Sequence, residues 1–144
     1  MKTVKVAREH LAGIALLEKQ CFKRPASERS LELLLKDTAV GFVCLADDGT
    51  PVSYVGMLTV LDEGQIINVA TNAAYRRQGL AEALLLALMG EARARALKTL
   101  SLEVRRSNLA AICLYQKLGF FIAGERRNFY NDPREDALVM ICNL

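Results

Sequence analysis

Residues 66–104, IINVATNAAYRRQGLAEALLLALMGEARARALKTLSLEV, change period twice, and the fold turns on those changes. The first run is β-rich up to Thr71. From Leu80 the apolar residues follow helical spacing: Leu80, Leu84 and Leu88 form one row, with Ala81, Leu85 and Met89 beside it. From Thr99 alternation takes over, with Leu100, Leu102 and Val104 on one face and Thr99, Ser101 and Glu103 on the other. Strand, helix and strand at this spacing require a parallel crossover. Glu91 and Arg95, one turn apart, read as a solvent-facing pair on the helix.

Upstream of this unit the chain reads as antiparallel strands. Asp47-Asp48-Gly49-Thr50 and Asp62-Glu63-Gly64 are turn signals, separating strands expected at about 40–46, 51–61 and 65–71. Nearer the start, Thr3–Val6 alternates as a short strand. An amphipathic helix from Ala7 to about Gln20 would turn Leu11, Ile14, Ala15 and Leu17 inward and Glu18 outward. Pro25 interrupts it, and Ser27 caps a second helix over 27–36 with Leu31, Leu34 and Leu35 inward. Downstream, Ser107 or Asn108 caps a helix that Gly119 stops, and two strands, 119–126 and 136–143, follow. The expectation is an α/β fold: one domain over residues 1–144, a mixed, mostly antiparallel sheet of about seven strands, and four helices on its faces.

Composition excludes several classes of function. With 52% hydrophobic and 24% charged residues the chain is a packed globular domain, neither disordered nor fibrous. A net charge of +3 is too small for duplex binding unless it is concentrated. Cys21, Cys44, Cys113 and Cys142 show neither zinc spacing nor a disulfide framework, and they read as buried, reduced thiols. MKTVKVAREHL lacks the apolar region of a secretory signal, and LAEALLLALMG is far short of a bilayer span. A soluble, cytoplasmic protein is expected.

Three features carry chemistry. Arg76-Arg77-Gln78-Gly79 opens a helix with positive charge where the exposed N–H groups are already positive, which implies an anionic partner. Neither a dinucleotide nor a P-loop fingerprint is present, so hydride transfer and nucleotide hydrolysis are not favoured. Glu103, near the end of a parallel strand, reads equally as a general base or as a surface carboxylate paired with Arg105 or Arg77. Tyr115 reads as a half-buried core aromatic or as a phenol that protonates a leaving group, and Asn108 as a cap, a ligand contact, or both.

Taken together, INVATNAAYRRQGLAEALL (67–85) and LSLEVRRSNLAAICLYQKLGF (100–120) resemble the Gcn5-related N-acetyltransferases, the GNAT superfamily. Arg76–Ala81 is similar to their pyrophosphate motif Q/R-x-x-G-x-G/A. With RRNFYNDPREDALVM (126–140), the chain resembles the RimI-type branch, which acetylates ribosomal-protein N-terminal alanines. The resemblance implies acetyl-CoA as cosubstrate, no metal, and a protein N-terminus as acceptor. It implies that Val69, Ala70 and Thr71 hold the pantetheine arm through backbone groups at a splayed strand end, with the Val69 N–H polarising the thioester. Arg76, Arg77, Gln78, Gly79, Leu80, Ala81 and Glu82 would cradle the pyrophosphate. Asn108 would contact the cofactor, Glu103 and Tyr115 would act as general base and general acid, and Tyr130 would line the acceptor groove. One departure bears on the acceptor: Ala26 stands where that branch carries an aromatic residue. Acetyl transfer to a small amine and a silent CoA-binding module are the competing readings.

Overall fold

The computed structural model describes all of residues 1–144. Its strands are β1 (Lys2–Lys5), β2 (Ala39–Leu45), β3 (Pro51–Val60), β4 (Glu63–Thr71), β5 (Thr99–Arg105), β6 (Phe121–Tyr130) and β7 (Glu135–Asn143). The helices are α1 (Leu11–Cys21), α2 (Glu28–Leu31), α3 (Leu80–Ala94) and α4 (Leu109–Lys117). All seven strands join one sheet in the order β1-β2-β3-β4-β5-β7-β6, antiparallel throughout except for β4 with β5. The α/β expectation and the element order hold.

The sheet separates two cores. On one face α3 buries Leu84, Leu85, Leu88 and Met89, α4 buries Ile112 and Tyr115, and both meet Leu100, Leu102 and Val104 of β5. On the other face α1 buries Leu11, Ile14 and Leu17 against Val43, Tyr54 and Ala70, with Leu31 and Leu34 beside them. Alternation along β5 therefore sends Glu103 to the α1 side, away from the larger core.

The parallel pairing is short. Only Glu63, Gly64 and Gln65 of β4 face Thr99, Leu100 and Ser101 of β5. Gly64 sits where a Cβ would lie 2.5 Å from Leu100 Cδ2 and 2.6 Å from the Met57 sulfur, so the absence of a side chain lets β4 and β5 meet. Beyond this contact, the β3 register shifts between Gly56 and Met57, leaving Ile67 as an extra residue in β4. A bulge of this kind bends its strand. β4 then leaves β5, while β5 stays paired to β7 as far as Arg105. The wedge between them is the one architectural opening in the sheet.

Several local expectations are corrected. The first helix begins as a 3-10 turn, Arg8–His10, because His10 Nδ1 accepts the Ala7 N–H at 2.9 Å. The second is one α-turn, α2, continued by a 3-10 turn at Glu32–Leu35 that keeps Leu31 and Leu34 on the same buried side. The second hairpin turns at Leu61 and Asp62, and Glu63 and Gly64 already belong to β4. Strand β6 runs past its expected end to Tyr130, whereas β7 begins only one residue early, at Glu135. Glu91 and Arg95 do pair, at 3.3 Å, yet they are not solvent-facing: Glu91 also binds Lys5 at 3.0 Å, and Arg95 donates to Asp37 O and Ala39 O. Cys44 and Cys142 are buried as expected, Cys21 is half-buried, and Cys113 is exposed. No helix is long and apolar enough to cross a membrane.

Candidate active site

The wedge between β4 and β5 opens into a cavity of about 620 Å³. Its walls include Ile66–Val69 of β4, Leu102–Arg105 of β5, Asn108 and Tyr115 of α4, the end of α1 with Phe22–Arg24, and the β6–β7 hairpin from Phe129 to Pro133. The cavity thus unites Val69, Glu103, Asn108, Tyr115 and Tyr130. It does not include Ala70, Thr71 or Arg76–Glu82.

The backbone of β4 is ready on this side. The Asn72 N–H donates to Val52 O of β3 at 2.8 Å. An antiparallel ladder alternates its donors, so the N–H groups of Thr71 and Val69 turn the other way, into the wedge. Ala70 is different. Its backbone faces β3, where its carbonyl accepts the Ser53 hydroxyl at 3.0 Å, and its methyl is buried under α1. The expectation that Ala70 offers backbone groups to a ligand is therefore corrected.

After β4 the chain turns through Asn72, whose side chain caps Ala74 N–H, and reaches α3 by way of Arg77 and Gly79, at φ 63° and 77°. No side chain caps α3, so the first-turn N–H groups of Leu80, Ala81 and Glu82 remain available to an anion. A Cβ on Gly79 would meet nothing within 4 Å, so the space beside the loop is open. The two arginines differ. Arg76 Nε donates back to Thr71 O at 3.2 Å, and Cys21 Sγ donates to the same carbonyl at 3.4 Å. Burial pushes the Cys21 thiol up, which opposes a nucleophilic role. Arg77 makes no hydrogen bond or ion pair and is the free cation of the loop. Glu82 is held by Lys117 at 3.0 Å, which neutralises a carboxylate that would repel a phosphate.

Glu103 is partly open to solvent, and its partner is Arg126 of β6, at 3.4 Å, rather than Arg105 or Arg77. Tyr115 is only 6% exposed and lies tilted against Phe120 at 5.8 Å. Its hydroxyl makes no hydrogen bond within the protein, yet no buried side-chain polar atom is left unpaired, so that hydroxyl opens to the cavity it lines. Burial, aided by the nearby Tyr130, pushes its pKa up to about 12, so it is a protonated phenol at neutral pH. Asn108 spends Oδ1 on the Ala111 N–H as cap of α4 and still lines the cavity. A carboxylate on one wall and a protonated phenol on another can take and give protons across a group held between them.

Arg105 organises the β6–β7 hairpin. Its guanidinium donates to Asn131 O, Pro133 O and Glu135, and lies 4.5 Å from the centre of the Tyr130 ring. Glu135 in turn accepts the Ser107 N–H at the entry to α4. Tyr130 is thereby fixed in the wall, its pKa raised by burial first and by the Glu103 charge second. The role of Arg105 has no local signal, because its partners lie 26 to 30 residues ahead.

The model of the acetyltransferase (GNAT) family matches residues 11–120. The chain belongs to this family. An Escherichia coli [ribosomal protein bS18]-alanine N-acetyltransferase is 40% identical over 126 residues, covering 86% of this chain and 84% of that one. A protein of the same name from Salmonella typhimurium is 42% identical over 98 residues, 67% of this chain and 66% of its own. The crystal structure of the ribosomal-protein-S18-alanine N-acetyltransferase from Escherichia coli superposes with a TM-score of 0.90 at 35% identity, covering 99% of this chain and 92% of that chain. The GNAT fold and the acyltransferase class read from the sequence are thus borne out. The family draws its acyl group from acetyl-CoA, and the wedge, the uncapped α3 and the open space at Gly79 suit a long molecule with a diphosphate.

Glu18 is the residue the sequence misplaced. It is 2% exposed, and its carboxylate accepts the Tyr54 hydroxyl at 2.6 Å and the Ala26 N–H at 2.8 Å. A signal was present, for Glu18 continues the helical row of Leu11, Ile14 and Ala15, all buried. Ala26, suspected of reshaping the acceptor groove, packs its methyl into the α1 core instead and is not part of the cavity wall.

Proposed function

We propose that this chain transfers the acetyl group of acetyl-CoA to the N-terminal α-amine of a protein, with the N-terminal alanine of ribosomal protein bS18 as acceptor. The observation that carries the reading is the joint opening of Glu103 and Tyr115 onto one cavity at the point where β4 leaves β5. The names of the relatives at 40 and 42% identity support this acceptor. Such an acceptor puts the reaction in the cytoplasm.

Each residue then has a task. Thr71 and Val69 lend wedge-facing N–H groups to the pantetheine arm and the thioester carbonyl. One fixed donor on a developing oxyanion is worth roughly 2.7–4 kcal/mol. Arg77 and the first turn of α3 hold the diphosphate, with Gln78 and Gly79 shaping the loop. Arg76 supports this indirectly by fixing the Thr71 carbonyl. Asn108 presents its remaining amide to the arm. An α-amine has a pKa of about 7.7–8.0 and is mostly protonated at neutral pH. Glu103 removes that proton, directly or through one water, and Arg126 yields its place as the amine arrives. Tyr115 protonates the departing thiolate. Tyr130 and the hairpin align the acceptor chain, and alignment itself supplies much of the rate.

The test is thiol release from acetyl-CoA with a bS18 N-terminal peptide, set against the same peptide with a blocked amine and a panel of small amines. Acetylation of the free peptide amine, located by mass spectrometry, is expected. Transfer to a small amine in preference to the peptide overturns the acceptor, and no release with any amine overturns the enzyme.

A further inference from the structure

Glu18 is a buried carboxylate with no basic partner, since none of the ion pairs in the protein includes it. Burying such a charge is costly unless hydrogen bonds compensate, and an apolar residue would fit the helical row better. Two donors compensate it, and both point to function. The Tyr54 hydroxyl belongs to β3, directly across from Ala70 of β4, the strand whose residues Ile66 to Val69 line the cavity. The Ala26 N–H belongs to the loop between α1 and α2, whose Phe22, Lys23 and Arg24 form one wall of the same cavity. Glu18 itself touches the cavity, and it lies on the α1 side of the sheet, the side to which β5 directs Glu103.

We infer that Glu18 is a positioning residue for the acceptor. Its carboxylate ties the 22–27 loop to the β3–β4 floor through Tyr54 and so sets the width of the entrance through which the amine reaches Glu103. This inference deepens the acyl-transfer reading and rests on it. The site tolerates Ala26 in place of an aromatic side chain because the loop is held by its main chain, not by the residue at that position. The Tyr54 phenol keeps its proton, since burial first and the Glu18 hydrogen bond second push its pKa up.

Two variants test this, Glu18→Gln and Tyr54→Phe, with the double variant, in two independent measurements. Steady-state kinetics should show the KM for the acceptor peptide rising about tenfold, the scale of one lost hydrogen bond to a charged group, while the KM for acetyl-CoA changes less than twofold. The double variant should be no worse than the more impaired single variant, because both remove the same tie. Limited trypsin digestion without substrates should show cleavage after Lys23 accelerated several-fold, with the other sites unchanged. A purely structural role would instead lower the active fraction, leaving both KM values unchanged and raising cleavage everywhere. Parallel rises in the two KM values, or unchanged cleavage at Lys23, overturn the inference. If Glu18→Gln does not fold, the milder Tyr54→Phe decides it by the same two readouts. A wild-type enzyme that leaves the peptide unacetylated defeats the acceptor reading instead, and the proteolysis result still stands on its own.

Discussion

Tyr115→Phe removes a single oxygen and leaves the ring packed against Phe120. Because that hydroxyl bonds to nothing in the protein and opens to the cavity, its loss should change stability at pH 7 by less than about 0.5 kcal/mol. Catalysis should suffer far more. A positioned proton donor is worth about 10²–10⁴-fold, so kcat should fall within that range with little change in the KM for acetyl-CoA. The raised pKa adds a second, independent signature. A tyrosine that titrates near 10 when unfolded and at about 12 when folded keeps its full contribution below pH 10 and loses it as pH rises towards 12. The whole span amounts to about 2.7 kcal/mol, and about half of it is gone at pH 11. Urea titrations of both proteins at pH 7 and pH 11 measure this directly. The wild type should lose roughly 1.4 kcal/mol more than the variant between the two pH values. Unchanged turnover would return Tyr115 to the core, and equal alkaline losses would refute the desolvated phenol.

Three further substitutions address the β5 wall and the loop that leads into α3. Glu103→Gln keeps the shape of the β5 wall but cannot accept a proton, so turnover should drop about 10²-fold or more while calorimetric binding of acetyl-CoA stays within about twofold; equal losses in both would make Glu103 structural. Arg77→Ala should weaken acetyl-CoA by about 1 kcal/mol at low salt, with the effect fading as ionic strength rises. Arg76→Ala should act on turnover through the Thr71 carbonyl, with little salt dependence. Identical salt profiles for the two variants would contradict the division of labour between them.

The difference between the arginines shows how a motif acquires roles only on folding. Both stand in RRQGLA, and both look like phosphate ligands. One is turned back onto the end of β4 because Thr71 O, freed from the sheet where β4 departs from β5, needs a donor. The other occupies a left-handed backbone position and bonds to nothing in the protein. The geometry of the loop before α3 and the strand splay are thus one structural event.

What was legible in the chain was what depends on neighbours a few residues away. Period two and period 3.6 mark β5 and α3, because burial on one face repeats with the backbone. Gly119 ends α4 as expected, with the Gly119 and Phe120 N–H groups reaching back to Gln116 O and Tyr115 O. The short α3 crossover forces β4 and β5 parallel. Glu103 and Asn108 could be singled out because each stands at a local landmark, a strand end and a helix start, whereas Tyr115, in the last turn of α4, shows locally only as an aromatic on an apolar helix face. Folding decided everything that needs a partner distant in sequence. Glu18 looked like the polar face of an amphipathic helix, yet Tyr54, 36 residues on, donates its hydroxyl to the buried carboxylate. Glu103 met Arg126 and not its neighbours, because β6 and β7 fold back beside β5. Local sequence states which way a side chain faces relative to its own element; what stands opposite, and hence whether a charge is solvated, paired or enclosed, is settled only when remote segments pack.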